Sequence, residues 1–158
     1  MAHEFKAQLV RVVDGDTIDA DIHLGFNMIM RDRIRLMGID TPESRTRNLQ
    51  EKSWGMASKH RLIELLAETD GAFTLHTAEM KKGKFGRVLG TIMVNGKDAN
   101  QVLIDEKLAI PYMGGNKDES RAQYGVVDLW NTDYENPQEH DDDHEHGDEP
   151  EGIDWHAE

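Results

Sequence analysis

Three consecutive stretches at the start of the chain show the pattern of β-strands, and this run constrains the fold more than any other feature. Phe5 to Val13 is rich in Val, Leu and Phe, and it ends at Asp14-Gly15, a strong hairpin signal. Thr17 to Leu24 alternates apolar and polar side chains. After the turn sequence Gly25-Phe26-Asn27, Met28 to Met37 has the composition of a third strand. The chain therefore begins with a predicted β-meander.

A helix is predicted next. Pro42 closes the third strand, and Asn48 with Glu51 three residues later resembles a capping box. Apolar residues at helical spacing extend this helix to Glu68. Gly55 lies inside it and predicts a local irregularity, since glycine costs about 1 kcal/mol in a helix interior.

The second half repeats the pattern on a smaller scale. Ala72 to Met80 and Arg87 to Val94 resemble a second pair of strands, Asp98 begins a short helix that runs through Lys107, and residues 113–130 include one more short helix. Five short strands in a meander interrupted by a helix predict an α+β fold, a five-stranded OB-fold β-barrel with about three helices.

Charge divides the chain into two predicted parts. Residues 1–130 carry 18 basic and 19 acidic side chains, whereas residues 131–158 carry 12 acidic side chains and no Lys or Arg. So polar a segment cannot bury enough apolar surface to offset its ordering entropy. We expect a folded domain over 1–130 and a disordered, acidic, histidine-containing tail over 131–158. A solvated tail, a loose metal binder and an electrostatic brake on a basic groove are all open interpretations of that segment.

Composition excludes several classes of site and predicts a location. The sequence has no cysteine, which excludes disulfides, thiolate zinc sites, iron–sulfur clusters and cysteine nucleophiles. No apolar run approaches the roughly 20 residues that span a bilayer, so we expect no membrane partner. The first residues lack a basic region followed by an apolar one, which predicts a cytoplasmic protein. A protein encoded by a virus or mobile element is a second interpretation.

Four short motifs together supply the groups that phosphodiester hydrolysis needs. Each has an ordinary structural explanation when taken alone, as a turn or as a solvated strand face. In combination they provide carboxylates and a backbone carbonyl for a hard cation, a further carboxylate to orient or deprotonate water, and two guanidiniums shaped for phosphate oxygens. The motifs are Asp14-Gly15-Asp16-Thr17, Arg35, Asp40-Thr41-Pro42-Glu43 and Gly86-Arg87.

The runs VVDGDTI, IRLMGIDTPE, KFGRVLGTI and NGKDANQVLIDEKLA resemble the staphylococcal nuclease (thermonuclease) family, in the family's order and at nearly its spacing. The resemblance covers about residues 5–112. It implies an OB-fold barrel with three helices. It also implies a calcium-dependent, sugar-nonspecific endonuclease that cleaves DNA and RNA and leaves 3′-phosphate ends.

The same resemblance implies a role for each matching position. Asp16, Asp40 and the backbone carbonyl of Thr41 match the Ca²⁺ ligands, and Asp14 matches a carboxylate beside the metal. Glu43 matches the residue that activates or orients the attacking water. The residues that match the catalytic arginines are Arg35 and Arg87.

The resemblance also implies substrate contacts. Lys84 and Tyr112 match residues that contact a terminal phosphate of a bound nucleotide. Phe85 stands where the family has a tyrosine, so its ring can pack on a sugar or base but has no hydroxyl to donate. Arg31 and Arg33, which share a strand face with Arg35, are further candidates for the groove.

An OB-fold module that binds single-stranded nucleic acid without cutting it is the alternative. Such a binder has no use for Asp16, Asp40 and Glu43 beside the arginines, since carboxylates repel phosphate unless a cation lies between them. Aromatic residues, which stack on bases, make up only 6% of the chain. We therefore expect a metal-dependent nuclease that acts as a monomer and prefers single-stranded DNA and RNA.

Overall fold

A five-stranded barrel with three helices forms the body of the protein in this computed structural model, which describes residues 3–78 and 87–135. No helix in these two ranges is both long and apolar enough to cross a membrane. The strands are β1 (His3–Asp14), β2 (Thr17–Gly25), β3 (Met28–Leu36), β4 (Ile39–Asp40), β5 (Ala72–Thr77), β6 (Val88–Val94), β7 (Lys97–Asp98) and β8 (Ile110–Pro111). The helices are α1 (Leu49–Ala67), α2 (Ala99–Asp105) and α3 (Lys117–Gln123), followed by a turn of 3₁₀-helix at Leu129–Asn131.

The barrel closes through one parallel pairing. Strands β1, β2 and β3 form the predicted antiparallel meander, and β1 also pairs with β5, which pairs with β6. Strand β6 then lies parallel to β3, with Ile34 opposite Val88 and Leu36 opposite Gly90. Strand β4 pairs separately with β8. The predicted α+β, OB-type barrel is confirmed.

Alternation along the strands fills the barrel interior. Every second residue of β2 points inward, and the inward side chains of the five long strands meet those of α1 and α2 in one core. Burying a large aliphatic side chain stabilises a fold by roughly 1.5–3 kcal/mol. The largest fully buried side chains are Leu9, Ile18, Ile22, Ile34, Leu36, Ile39, Leu62, Leu65, Leu66, Leu75, Ile92 and Leu103.

Helix α1 begins where the sequence predicts, but two of its details differ from the prediction. Asn48 caps it by accepting hydrogen bonds from the Gln50 and Glu51 amides. The side chain of Glu51 accepts a hydrogen bond from the Glu43 amide. It does not accept the bond from the Asn48 amide that a capping box would require. The irregularity expected at Gly55 was wrong, because the helix runs unbroken through it. A methyl group on Gly55 would collide with the Glu43 carbonyl, so glycine here permits close packing.

The segment after α3 packs against α1 and contacts the loop that follows α2. Trp130 is buried and donates its indole N–H to the Lys107 carbonyl at 3.1 Å. Trp54 donates to the Thr132 carbonyl at 2.8 Å and meets the Tyr134 ring edge-on. Thr132 and Tyr134 therefore contact α1, although composition places them in the predicted acidic tail. The tail beyond residue 135 lies outside the described residues, and the proposed division at residue 130 stays a prediction.

Arginines and aspartates alternate across β2 and β3 on the outer face of the barrel. As predicted, the period of two places Arg31, Arg33 and Arg35 on one face. Arg31 pairs with Asp21 at 2.7 Å, and Arg33 pairs with Asp19 at 2.8 Å. The hydrogen bond from Arg33 holds the pKa of the Asp19 carboxyl below its ordinary value.

The substitution Asp19→Asn should make stability less sensitive to acid. Because the folded-state pKa of Asp19 lies below 3.8, its ionised form stabilises the fold above that pH, and this contribution is lost as the pH falls through the folded pKa. The loss at neutral pH should be at most about 1 kcal/mol, since the partners are exposed. Urea titrations between about pH 3 and pH 6 measure the slope of the free energy of unfolding against pH. Equal slopes in variant and parent would contradict the assignment.

Candidate active site

Most of the residues predicted to carry the chemistry meet in one cleft of about 170 Å³. The cleft lies where the β1–β2 turn, the end of β3 and the loop after β4 come together. The predicted residues that line it are Asp14, Asp16, Arg35, Thr41, Glu43 and Arg87. Thr17, Pro42 and Lys117 complete the wall.

The β1–β2 turn places Asp16 against Arg35. Thr17 lies opposite Arg35 in the β2–β3 register. The carboxylate of Asp16, the residue just before β2, therefore reaches the Arg35 guanidinium. Arg35 Nη1 lies 3.1 Å from Asp16 Oδ2 and also donates to the Leu36 carbonyl at 3.2 Å. Both side chains are 13% exposed, so the pair is fixed at the cleft wall. Gly15 lets the turn sit on α1, where a Cβ would lie 2.6 Å from Ser58 Cβ.

Asp40 lies behind the cleft wall and is 1% exposed. It belongs to β4, which β8 holds by pairing Ile110 with Asp40. One carboxylate oxygen, Oδ2, accepts a hydrogen bond from Arg121 Nε at 3.1 Å. The other, Oδ1, is buried without a hydrogen bond and lies 3.5 Å from Lys117 Nζ. The next residue, Thr41, donates its amide to Asp16 Oδ2 at 3.4 Å, which brings the two predicted metal carboxylates to one place.

The loop that carries Glu43 is anchored at two points. The Glu43 amide donates to Glu51 Oε2 at 2.9 Å. The next residue, Ser44, donates its hydroxyl to Asp14, whose second oxygen accepts from Arg45 at 3.1 Å. Asp14 therefore holds the loop in place, in addition to lining the cleft.

The Glu43 carboxyl is exposed at the cleft rim, yet the surrounding walls still desolvate it. This partial burial raises the pKa of Glu43 above its ordinary value. Lys117 opposes the rise, while Asp16 and Asp40 add to it. A higher pKa makes a carboxylate a better acceptor for a proton from water.

Arg121 is a central residue of the site that the sequence analysis missed. It projects from α3 and bonds the carboxylate of Asp40, the carbonyl of Thr41 at 3.2 Å and the carboxylate of Glu51 at 2.9 Å. Its guanidinium also lies 5.0 Å from the centre of the Trp130 ring. Burial opposes its charge, but Asp40 and Glu51 outweigh burial and raise the pKa of Arg121.

The sequence held little signal for these contacts. The α3 segment KDESRAQ has no apolar stripe, and nothing in its spacing links Arg121 or Lys117 to a turn far earlier in the chain. The sequence pattern gives Glu51 a role only in the cap of α1, and the charge of Arg121 is one of several on α3.

None of the predicted substrate contacts that the structure describes lines the cleft itself, and the others fall outside the described residues. Tyr112 donates its hydroxyl to the Gly115 carbonyl at 2.7 Å, and the Lys117 ammonium lies 5.8 Å from its ring centre. It therefore borders the cleft through Lys117. Arg31 and Arg33 pair with aspartates on the barrel face and do not line the cleft. Lys84 and Phe85 fall in the range 79–86, outside the described residues, and their roles stay predictions.

The donor set fits a hard cation held by few protein ligands. Within residues 3–78 and 87–135 there is no group of three or more His, Asp or Glu side chains placed to hold a metal. The predicted set has two carboxylates, Asp16 and Asp40, and the Thr41 carbonyl. Calcium accepts such a mixture and completes its shell with water. The buried, unbonded Oδ1 of Asp40 is an oxygen that a cation would compensate.

Comparisons with known proteins point to one family. The staphylococcal nuclease homologue family matches residues 33–130. An uncharacterised protein of Methanocaldococcus jannaschii is 29% identical over 123 residues, 67% of this chain and 56% of that protein. Endonuclease YncB of Bacillus subtilis is 34% identical over 105 residues, 64% of this chain and 45% of its own length.

A micrococcal nuclease of Shigella flexneri is 29% identical over 89 residues, 56% of this chain and 42% of its own length. The chain thus spans about half the length of these curated relatives. The family match includes α3 and the loop after β4, while Asp14 and Asp16 lie before its first residue.

The substitution Gly55→Ala should destabilise the protein, the reverse of its usual effect inside a helix. Alanine is normally favoured there by roughly 0.5–1 kcal/mol. Here the new methyl group meets the backbone of Glu43, which has little room to move aside. We expect a loss of about 1–3 kcal/mol in the free energy of unfolding, measured by urea titration.

Lys52→Ala, at an exposed position of the same helix, is the matched control and should change stability by less than about 0.5 kcal/mol. A Gly55→Ala protein as stable as its parent would show that the Glu43 loop yields without cost.

Proposed function

The chain belongs to the staphylococcal nuclease homologue family, and on that basis we propose that it is a calcium-dependent nuclease that hydrolyses phosphodiester bonds of DNA and RNA. The observation that carries the proposal is the cleft itself, where Arg35, Arg87 and Glu43 lie beside the Asp16 carboxylate. The names of two relatives, an endonuclease and a micrococcal nuclease, support the same class of activity.

Asp16, Asp40 and the Thr41 carbonyl would hold the metal. Bound there, calcium would supply positive charge to a phosphate oxygen and make a water molecule easier to deprotonate. The hydrogen bond between the Thr41 amide and Asp16 keeps these ligands together.

Arg35 and Arg87 would bind the phosphate. A guanidinium donates two parallel N–H bonds to phosphate oxygens, and these bonds strengthen as negative charge builds on the five-coordinate phosphorus. Asp16 fixes Arg35 by an ion pair in which each side chain is 13% exposed, so its fork is oriented before substrate arrives.

Glu43 would accept a proton from the attacking water as the water oxygen bonds to phosphorus in line with the leaving group. The bond from phosphorus to the 5′ oxygen breaks, and solvent returns a proton to that oxygen. The products are a 3′-phosphate and a 5′-hydroxyl. Two contacts support this role for Glu43: its amide bonds Glu51, and Asp14 holds the neighbouring Ser44.

The proposed contacts explain why both DNA and RNA would be substrates. All of the groups named above act on phosphate or water, and none is assigned to the 2′-hydroxyl that distinguishes RNA. Lys84 and Tyr112 would contact a terminal phosphate of the bound nucleotide, and Phe85 would pack on a sugar or base. A single strand leaves its phosphates, sugars and bases accessible to such contacts. We propose that the protein binds single-stranded DNA or RNA as a monomer.

The substitutions Arg35→Ala and Glu43→Gln should each abolish most cleavage while the fold survives. Removing one group that stabilises the transition state costs about 10²–10³ in rate, and a catalytic arginine or base costs at least that. The measurement is cleavage of fluorescent single-stranded DNA and RNA with millimolar calcium, with magnesium and with chelator. We expect calcium-dependent cutting in the parent alone.

Arg61→Ala is the matched control, because Arg61 pairs with Glu106 away from the cleft and should leave the rate unchanged. Near-normal turnover in Arg35→Ala would refute its role. If no metal supports cutting but strands still bind, the alternative of a non-catalytic OB-fold binding module takes its place.

A further inference from the structure

Arg121 is fixed at the predicted metal ligands by contacts on every side. It donates to Asp40 Oδ2 at 3.1 Å, to the Thr41 carbonyl at 3.2 Å and to Glu51 Oε2 at 2.9 Å. The ring of Trp130 lies against its guanidinium, and Trp130 is itself buried. With a side chain 15% exposed, Arg121 is part of the wall behind the cleft.

The contacts of Arg121 fall on two of the three groups assigned to the metal. Its charge compensates Asp40, and its bonds leave only Oδ1 of that carboxylate without a hydrogen bond. A second cation, Lys117 on the same helix, lies 3.5 Å from that Oδ1. Helix α3 therefore brings two positive charges to a carboxylate that is 1% exposed.

We propose that Arg121 is a positioning residue that also sets the calcium affinity of the site: it orients Asp40 and the Thr41 carbonyl, and its built-in charge competes with a divalent cation for them. This inference rests on the metal site of the proposed function. A positive charge held beside the ligands opposes the approach of another cation, so the site binds calcium more weakly than its oxygens alone would.

When Arg121 is replaced by an uncharged residue, the loss of its positive charge should raise calcium affinity by more than the loss of its orienting bonds lowers it. The Thr41 amide still holds Asp16, and β8 still holds Asp40 through Ile110. These contacts limit how far the ligands can move when the guanidinium is removed. Without Arg121, Asp40 Oδ2 and Glu51 lose its hydrogen bonds and its positive charge, and a bound calcium ion would compensate that loss.

The test is direct calcium binding by the full chain, measured by isothermal titration calorimetry without substrate. Arg121→Met should bind calcium about tenfold more tightly than the parent, whereas Arg121→Lys, which keeps the charge, should stay within about threefold. Calcium should also raise the melting temperature of Arg121→Met by more than it raises that of the parent. If Arg121 had only a structural role, Arg121→Met would melt at a lower temperature than the parent, by the same amount with and without calcium.

Arg61→Met is the matched control, since Arg61 pairs with Glu106 and Glu64 outside the site and should leave calcium affinity unchanged. Unchanged or weaker binding by Arg121→Met overturns the inference alone. Absence of calcium binding in both proteins overturns the metal site and hence the proposed function. If Arg121→Met does not fold, Lys117→Met decides: tighter binding supports the competition, and unchanged binding overturns it.

Discussion

The close approach of α1 to two turns is the constraint on which the site depends. Gly15 rests on Ser58, and Gly55 rests on the backbone of Glu43, so a single helix face sets the positions of Asp16 and the Glu43 loop. Ser58 adds a hydrogen bond to the Leu108 carbonyl, which leads directly into β8 and its pairing with Asp40. Packing at this density tolerates no added methyl group without movement, and that rigidity fixes the side chains that the proposed function assigns to one phosphate.

Ion pairs hold the charged side chains of the site. Asp16 pairs with Arg35, and Asp40 and Glu51 pair with Arg121, all with side chains at most 15% exposed, whereas the Asp14–Arg45 pair is more exposed. Buried ion pairs are weak contributors to stability, because desolvation cancels most of their attraction. Removing one partner of a buried pair, in contrast, lowers the free energy of unfolding by about 3–5 kcal/mol, because the remaining buried charge is left uncompensated. These ion pairs therefore specify the geometry of the site more than they stabilise the fold.

The sequence predicted the parts of the structure that local pattern determines. Composition predicted β1, alternation predicted β2 and the common face of the β3 arginines, and Asn48 marked the start of α1. The motif residues that line the cleft could be assigned because the resemblance places each one within a short, specific run. Arg121 could not be found this way, since its contacts with Asp40 and Thr41 cross about half the chain and leave no local period. Gly55 was misjudged for a related reason: propensity describes a helix alone, whereas the contact with Glu43 is tertiary.

The C-terminal part of the domain contributes side chains to the site, which its polar composition does not indicate. Residues 117–135 are polar and look dispensable, yet they carry Lys117 and Arg121 into the site and seat Trp130 under the guanidinium. The chain then continues past Thr132 and Tyr134, which pack on Trp54 in α1, one turn from Glu51. The helix that supports the Glu43 loop is thereby held from both sides, by the barrel and by the contacts of Thr132 and Tyr134. We therefore expect a mutation far along the sequence, at Trp130 or Tyr134, to disturb the same wall of the cleft as one at Asp40.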